Sequence, residues 1–219
     1  MNISHHPDQT LLLDYATGAM SDAFSLIIAT HLAMCPACRR EVSALERIGG
    51  AMLDRENPPQ ARGDDFEALM ARIERDEREP EVRPARPPVP PALATFPRPL
   101  RDRLTSLGSD VPWNRRGAIE TAFLPAAEPG HKIRMLRIAP GHGVPQHSHR
   151  GTELTLVLEG GFSDITGNYV RGDIQVADQE LDHQPLADDQ VACICLAVTS
   201  DRLRLTGPLG RIIDPLLRV

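Results

Sequence analysis

No apolar run in this 219-residue chain approaches the roughly 18 residues of a membrane-spanning helix. The N-terminus has no basic stretch followed by an apolar one, so no secretory leader is expected. The expected compartment is the cytoplasm, where thiols stay reduced. Cysteine is scarce. The four present form two tight pairs, Cys35/Cys38 and Cys193/Cys195, which argues against a disulfide framework and for metal or redox chemistry. Solenoid-type internal repeats are absent. A basic recognition helix is also missing. Residues 1 to 80 carry 8 arginines against 14 acidic side chains, while the remainder balances at 16 and 16, so the net charge of −6 belongs to the first 80 residues. An acidic N-terminal half repels phosphate backbones and suits a basic partner, which weighs against direct DNA binding.

What is present divides the chain in two. The stretch PEVRPARPPVPPALATFPRP (80 to 99) holds eight prolines. Proline fixes φ and removes donors, so an extended, semi-rigid linker is expected over 81 to 100. Before it the pattern is helical. DQTLLLDYATG (8 to 18) ends at Gly18, a suitable C-cap. SDAFSLIIATHLAM opens with Ser21 as a plausible N-cap. Residues 37 to 56 place Val42, Leu45 and Ile48 on one face. DDFEALMARIERDERE (64 to 79) spaces Phe66, Leu69, Met70 and Ile73 as an amphipathic stripe with a charged back. That stripe either packs on the other helices or docks on a partner. After the linker, short apolar runs alternate with glycine-punctuated turns: AIETAFL, HKIRMLRIA, ELTLVLEGGFSD, DIQVA, VACICLAV and DRLRLTG. Many short strands at near-regular spacing predict a sandwich or barrel over 101 to 219.

In THLAMCPACR, His31 and Cys35 lie four residues apart on one helical face, and Cys38 follows three later. Pro36 favours a new helix starting inside the C-x-x-C, so a metal would clasp a helix–turn–helix junction. The set suits Zn2+, which seeks a fourth ligand in a structural site. His5 and His6 are the candidates, and spacing leaves both open. A redox C-x-x-C would sit beside a βαβ unit, which the pattern does not offer. Energetics favour zinc as well. A helical module of about 80 residues has a small core, and structural zinc supplies on the order of 10–16 kcal/mol of apparent folding energy. The arrangement His6 … His31-x3-Cys35-x2-Cys38 on short helices resembles the zinc-binding anti-sigma domain. That resemblance implies His6 as the distal ligand. It also implies that the helix of residues 64 to 79 inserts between domains of an extracytoplasmic-function sigma factor.

In GVPQHSHRGTE, His147, His149 and Glu153 have the same strand parity and converge on one face. His183 lies on a later segment and could close the site. The spacing Gly141-x5-His147-x-His149-x3-Glu153-x6-Gly160 resembles the first cupin motif, a double-stranded β-helix or jelly roll. The second motif matches at Gly172 and His183, but Asp178 and Glu180 stand where proline and glycine are usual, and the trailing asparagine is missing. Zn2+, manganese or iron would each fit the donor set, and the last two would keep open positions beyond four ligands. Cys193 and Cys195 share one face of a strand, either as small buried hydrophobes or as an oxidation-sensitive pair. His131 and His142 are assigned to surface or loop, without a role.

In this order, a small zinc-stabilised all-α bundle (1 to 80), a linker and an all-β cupin domain resemble the ChrR family of anti-sigma factors. The resemblance implies a non-enzymatic regulator that restrains its sigma factor in a 1:1 complex and releases it on an oxidative, singlet-oxygen-like signal. The cupin metal would be needed for that release, and proteolysis could follow the signal. The alternative is a cupin dioxygenase or hydrolase with a helical zinc appendage, distinguished by turnover of a small dicarbonyl or thiol.

Overall fold

A computed structural model describes residues 3–57, 64–78, 89–108, 110–201 and 203–206. Helix α1 (Gln9–Thr17) begins where the Asp8 carboxylate accepts from the Leu11 N–H and ends at Gly18, whose φ of 72° is the left-handed cap expected. Helix α2 (Asp22–Met34) starts with the Ser21 hydroxyl accepting from the Phe24 N–H. Helix α3 (Pro36–Leu53) places Pro36 in its first turn, where the missing N–H costs nothing. Helix α4 spans Asp65–Arg78. Among the described residues no single helix is long and apolar enough to cross a membrane.

The compact units divide at two places, after Glu46 within α3 and after Pro88 inside the proline-rich stretch. The described residues of Met1–Glu46 and Val89–Val219 form one unit, and those of Arg47–Pro88 form another. The expected tether also differs from what is found. Its residues 81 to 88 lie outside the described residues, but residues 89 to 100 are folded. A 3-10 turn (Pro91–Leu93) leads into helix α5 (Arg98–Leu107), which the sequence reading did not anticipate. Pro91 and Pro99 each occupy a first turn, where proline is tolerated, so proline content alone misreads this segment. Leu93, Leu100 and Leu104 are buried, and α5 lies against α2.

The β-domain contains twelve strands among the described residues: β1 (Asn114–Arg116), β2 (Ile119–Leu124), β3 (Lys132–Ile138), β4 (His147–His149), β5 (Glu153–Glu159), β6 (Gly161–Asp164), β7 (Gly167–Val170), β8 (Ile174–Ala177), β9 (Asp182–His183), β10 (Leu186–Ala187), β11 (Cys193–Thr199) and β12 (Leu203–Leu205). They form a six-stranded sheet in the order β1-β2-β3-β11-β5-β8 and two three-stranded sheets, β10-β6-β7 and β12-β4-β9. All described pairings are antiparallel. Every residue of β11 and all but the last of β5 are buried, so neither strand shows the alternation of a one-sided sheet. Both faces are covered. Helix α2 packs on β11 and β5 from outside, and Phe24, Ile27 and Ile28 share one apolar core with Met135, Leu154 and Leu196. A helix apolar around its whole circumference is one that other elements bury on several sides, which explains why α2 sits between α1, α5 and the sheet.

Candidate metal centres

The N-terminal cluster forms where α2 ends and α3 begins. His31 and Cys35 project from the last turn and cap of α2, and Cys38 from the first turn of α3. His6 arrives from the segment before α1. One ligand atom from each of His6, His31, Cys35 and Cys38 lies within 4.8 Å of all the others. The Cys35 and Cys38 sulfurs stand 3.5 and 3.3 Å from His6 Nδ1, and His31 Nε2 stands 3.4 Å from Cys38 Sγ. A tetrahedral zinc with ordinary Zn–N and Zn–S bonds requires N···S edges of about 3.5 Å. The donor set therefore fits the ion. His31 Nδ1–H donates to the Gly172 carbonyl at 2.9 Å, which leaves Nε2 as the free lone pair facing the cluster. Burial lowers the His31 pKa to about 4, with the Gly172 carbonyl partly opposing, so the ring is neutral and ready to ligate. Burial, then the neighbouring Cys35, pushes the Cys38 thiol up to about 12 without metal. Binding a cation would release that proton. His5 takes the opposite direction from His6, toward Asp173.

The β-domain cluster forms inside the barrel. Strand β4 carries His147 and His149 on its buried face, and the pairing His147↔His183 brings β9 alongside. The three imidazoles are buried and gather their nitrogens within 4.8 Å. His147 Nδ1–H donates to the Pro145 carbonyl at 2.8 Å and His183 Nδ1–H to Asp164 Oδ2 at 2.6 Å. Both rings thus turn a bare Nε2 inward. His149 Nε2 lies 3.1 Å from His183 Nε2. Two bare imidazole nitrogens gathered with a third ring in one buried site are a donor set suited to a cation. The 3.1 Å edge lies between the roughly 2.9 and 3.3 Å of octahedral and tetrahedral geometry. Burial lowers the pKa of His147, and that of His149 to about 4, Glu153 partly opposing in each case.

Glu153 lies beside the imidazoles but is turned elsewhere. Its Oε2 accepts from Arg134 Nη2 at 3.1 Å, its Oε1 accepts from the Thr155 hydroxyl at 3.1 Å, and Oε2 stands 3.6 Å from His149 Nδ1. A cavity of about 70 Å3 adjoins His147, His183, Glu153 and Cys195. The irregular turn before His183 closes differently from the usual proline–glycine version. The Asp178 carboxylate accepts the Glu180 N–H at 2.9 Å, so an aspartate side chain does the work of the missing residues.

Sequence reasoning missed the partners that orient these ligands. Asp164, with a fully buried side chain, also accepts from Thr166 and Gln175. Burial would raise its pKa, but the donors from Thr166, Gln175 and His183 outweigh that and lower it. Its only sequence signal is the D-x-T-G turn. Arg134 gave none, and Gly172 stood out only by its motif spacing, which says nothing of its contact with His31. Cys193 and Cys195 are both buried with sulfurs 3.3 Å apart, across a bulge at Ile194/Cys195. The hydrogen-bonded Cys193 and then burial raise the Cys195 pKa well above the ordinary thiol range. On α4, Phe66 (71%), Leu69 (52%), Met70 (39%) and Ile73 (41%) stay exposed.

Comparison with known proteins agrees with this architecture. Residues 105–201 match the family model described as a ChrR cupin-like domain. The whole chain is 41% identical over 221 residues to the anti-sigma-E factor ChrR of Cereibacter sphaeroides, covering 100% of both. The fold is similar to a chain in the crystal structure of Rhodobacter sphaeroides SigE in complex with the anti-sigma ChrR. The TM-score is 0.74 at 38% identity, with 90% of this chain and 99% of that chain covered.

Proposed function

Because this chain belongs to the ChrR family of anti-sigma factors, a family of regulators rather than enzymes, we propose that it binds and inhibits an extracytoplasmic-function sigma factor in a 1:1 complex. The observation that carries the reading is the exposed stripe of Phe66, Leu69, Met70 and Ile73 on an acidic helix. Four large apolar side chains spaced for one face and left in solvent suit insertion into an apolar groove. The acidic flanks suit a partner whose nucleic-acid-binding surfaces are basic. Residues 1 to 80 carry this inhibitory role, and the following residues carry the response.

Zn2+ held by His6, His31, Cys35 and Cys38 clamps the α2–α3 junction. A metal held by His147, His149 and His183, with Glu153 as a fourth ligand once it leaves Arg134, arms the β-domain for an oxidative signal of the singlet-oxygen type. Release of the sigma factor follows a change at that site or at Cys193 and Cys195, with proteolysis of the opened chain as a later step. The cytoplasm is the compartment consistent with this partner. A cavity of about 70 Å3 holds a water or a small oxidant, whereas ligand pockets for substrates usually exceed about 300 Å3, which disfavours turnover of a dicarbonyl.

The test is co-purification of the full-length chain with its sigma factor. The wild type is expected to form a 1:1 complex. Phe66→Asp with Ile73→Asp is expected to abolish it with the far-ultraviolet circular dichroism unchanged. A wild-type chain that fails to hold the sigma factor, or a double variant that still holds it, removes the reading.

A further inference from the structure

Two of the four N-terminal candidate ligands are tied to the β-domain by hydrogen bonds, His31 directly and His6 through the segment that carries it. The turn between β7 and β8 supplies both contacts. Its Gly172 carbonyl accepts from His31 Nδ1–H. Its Asp173 carboxylate, fully buried, gathers the segment that delivers His6. Oδ1 accepts from the Ser4 N–H at 2.7 Å and the His5 N–H at 3.0 Å, while Oδ2 lies 3.2 Å from His5 Nδ1 and accepts from the Val170 N–H at 3.0 Å. The Ile174 N–H returns a bond to the His5 carbonyl at 3.2 Å, so residues 4 and 5 lie along the start of β8 like a short added strand. The His5 ring rests on Tyr169 with centroids 4.4 Å apart. Gly172 has φ of 95°, and a Cβ there would stand 2.6 Å from Ile3 Cδ1, so only glycine lets the segment approach this closely.

We infer that Asp173 is a positioning residue for the N-terminal metal cluster, the point at which the β-domain fixes where His6 stands relative to Cys35 and Cys38. The physical reason is local. Residues 3 to 8, before α1, lie in no helix or strand that would fix them. Three backbone N–H groups converge on one buried carboxylate, and losing that acceptor would orphan all three. With the segment untied, His6 would have to be held by the metal bond alone, and the entropy of ordering residues 3 to 6 would then oppose metal binding. The inference deepens the reading of this cluster as a metal clamp.

The test uses the full-length chain loaded with Co2+. A thiolate-to-cobalt charge-transfer band reports the N-terminal cluster, since the ligands named for the β-domain site are imidazoles and a carboxylate. Asp173→Ala is expected to weaken cobalt retention against a chelator about tenfold and to shift the visible band, the size ordinarily seen when an outer partner of a ligand is lost. Amide exchange at Ser4, His5 and Ile174 should rise with it. Ser4→Pro keeps Asp173 and its Val170 bond while deleting the two donors of Ser4, its N–H and its hydroxyl, so it tests the same tie without disturbing the turn. It should lower retention by a smaller factor with the thermal transition unchanged. Cobalt retained as in the wild type by both variants would overturn the inference, whether or not amide exchange rises. A wild-type chain showing no thiolate–cobalt band would overturn the clamp proposed above and this inference with it, whereas a wild-type band that both variants keep unchanged overturns this inference alone.

Discussion

Asp164 accepts the Nδ1–H of His183 at 2.6 Å from a carboxylate that is itself fully buried. A carboxylate behind an imidazole locks the tautomer and raises the basicity of the inward nitrogen. Asp164→Ala is therefore expected to lower metal affinity at the β-domain site about 10- to 100-fold. Affinity at the N-terminal cluster should stay unchanged. Metal content after dialysis against graded chelator, resolved by site with Co2+ spectra, checks both halves of this statement.

Arg134 and Glu153 form a buried ion pair, with side-chain exposures of 8% and 7%. Removing one partner leaves the other charge uncompensated. Arg134→Met should destabilise the metal-free protein by about 3 kcal/mol. The loss should shrink when the β-domain site is loaded, because a cation beside Glu153 replaces the guanidinium. Urea denaturation with and without metal measures the difference. An equal loss in both states would mean that Glu153 does not respond to the metal.

The metal-free chain should lose stability as pH falls from about 6.5 to about 4. His31 and His149 both have folded pKa values lowered to about 4 by burial. In the unfolded chain they titrate near the ordinary value of about 6.5. Between these limits the unfolded state binds more protons, so stability is complete above about 6.5 and drains away below it, by on the order of 3 kcal/mol for each ring. Protons and metal compete for the same nitrogens, so metal loss should follow the same window. Denaturation midpoints at pH 7.5, 6 and 5 test this, and a flat profile would contradict it.

Cys193 and Cys195 should resist iodoacetamide in the folded chain and react fully in denaturant. Both are buried, and the raised pKa of Cys195 keeps it as the unreactive thiol at neutral pH. Native labelling at a rate near that of an exposed thiol would show that the barrel opens. Mass spectrometry of labelled peptides distinguishes these thiols from Cys35 and Cys38.

Most members of the two candidate ligand sets were legible because they are local. His31, Cys35 and Cys38 are spaced for one helical face and a proline-started helix, and the structure finds that junction. His147 and His149 share strand parity, and the structure finds them on one buried face. Strand runs around β2, β3, β5, β8 and β11 were visible because β-branched and leucine-rich segments stand between glycines. Helix α5 was hidden by the prolines around it. The choice between His5 and His6 was open in the spacing, because adjacent residues in an irregular segment carry no periodicity. Glu153 satisfies the spacing rule yet pairs with Arg134, since parity says which face a carboxylate occupies and not which cation it meets there.

By itself the sequence determined most of the imidazoles and thiols that gather, the helical first part and the stranded second part, because side-chain chemistry and the periods 3.6 and 2 act over a few residues. Only the tertiary structure decided what holds the ligands in place. His31 meets Gly172 across 141 positions of chain, Ser4 meets Asp173 across 169, and Glu153 meets Arg134 across 19. The first two exist only once α2 is buried on β11 and β5 and the turn after β7 is brought beside the first residues, and the third only once β3 and β5 flank β11 in the sheet. No local pattern encodes them.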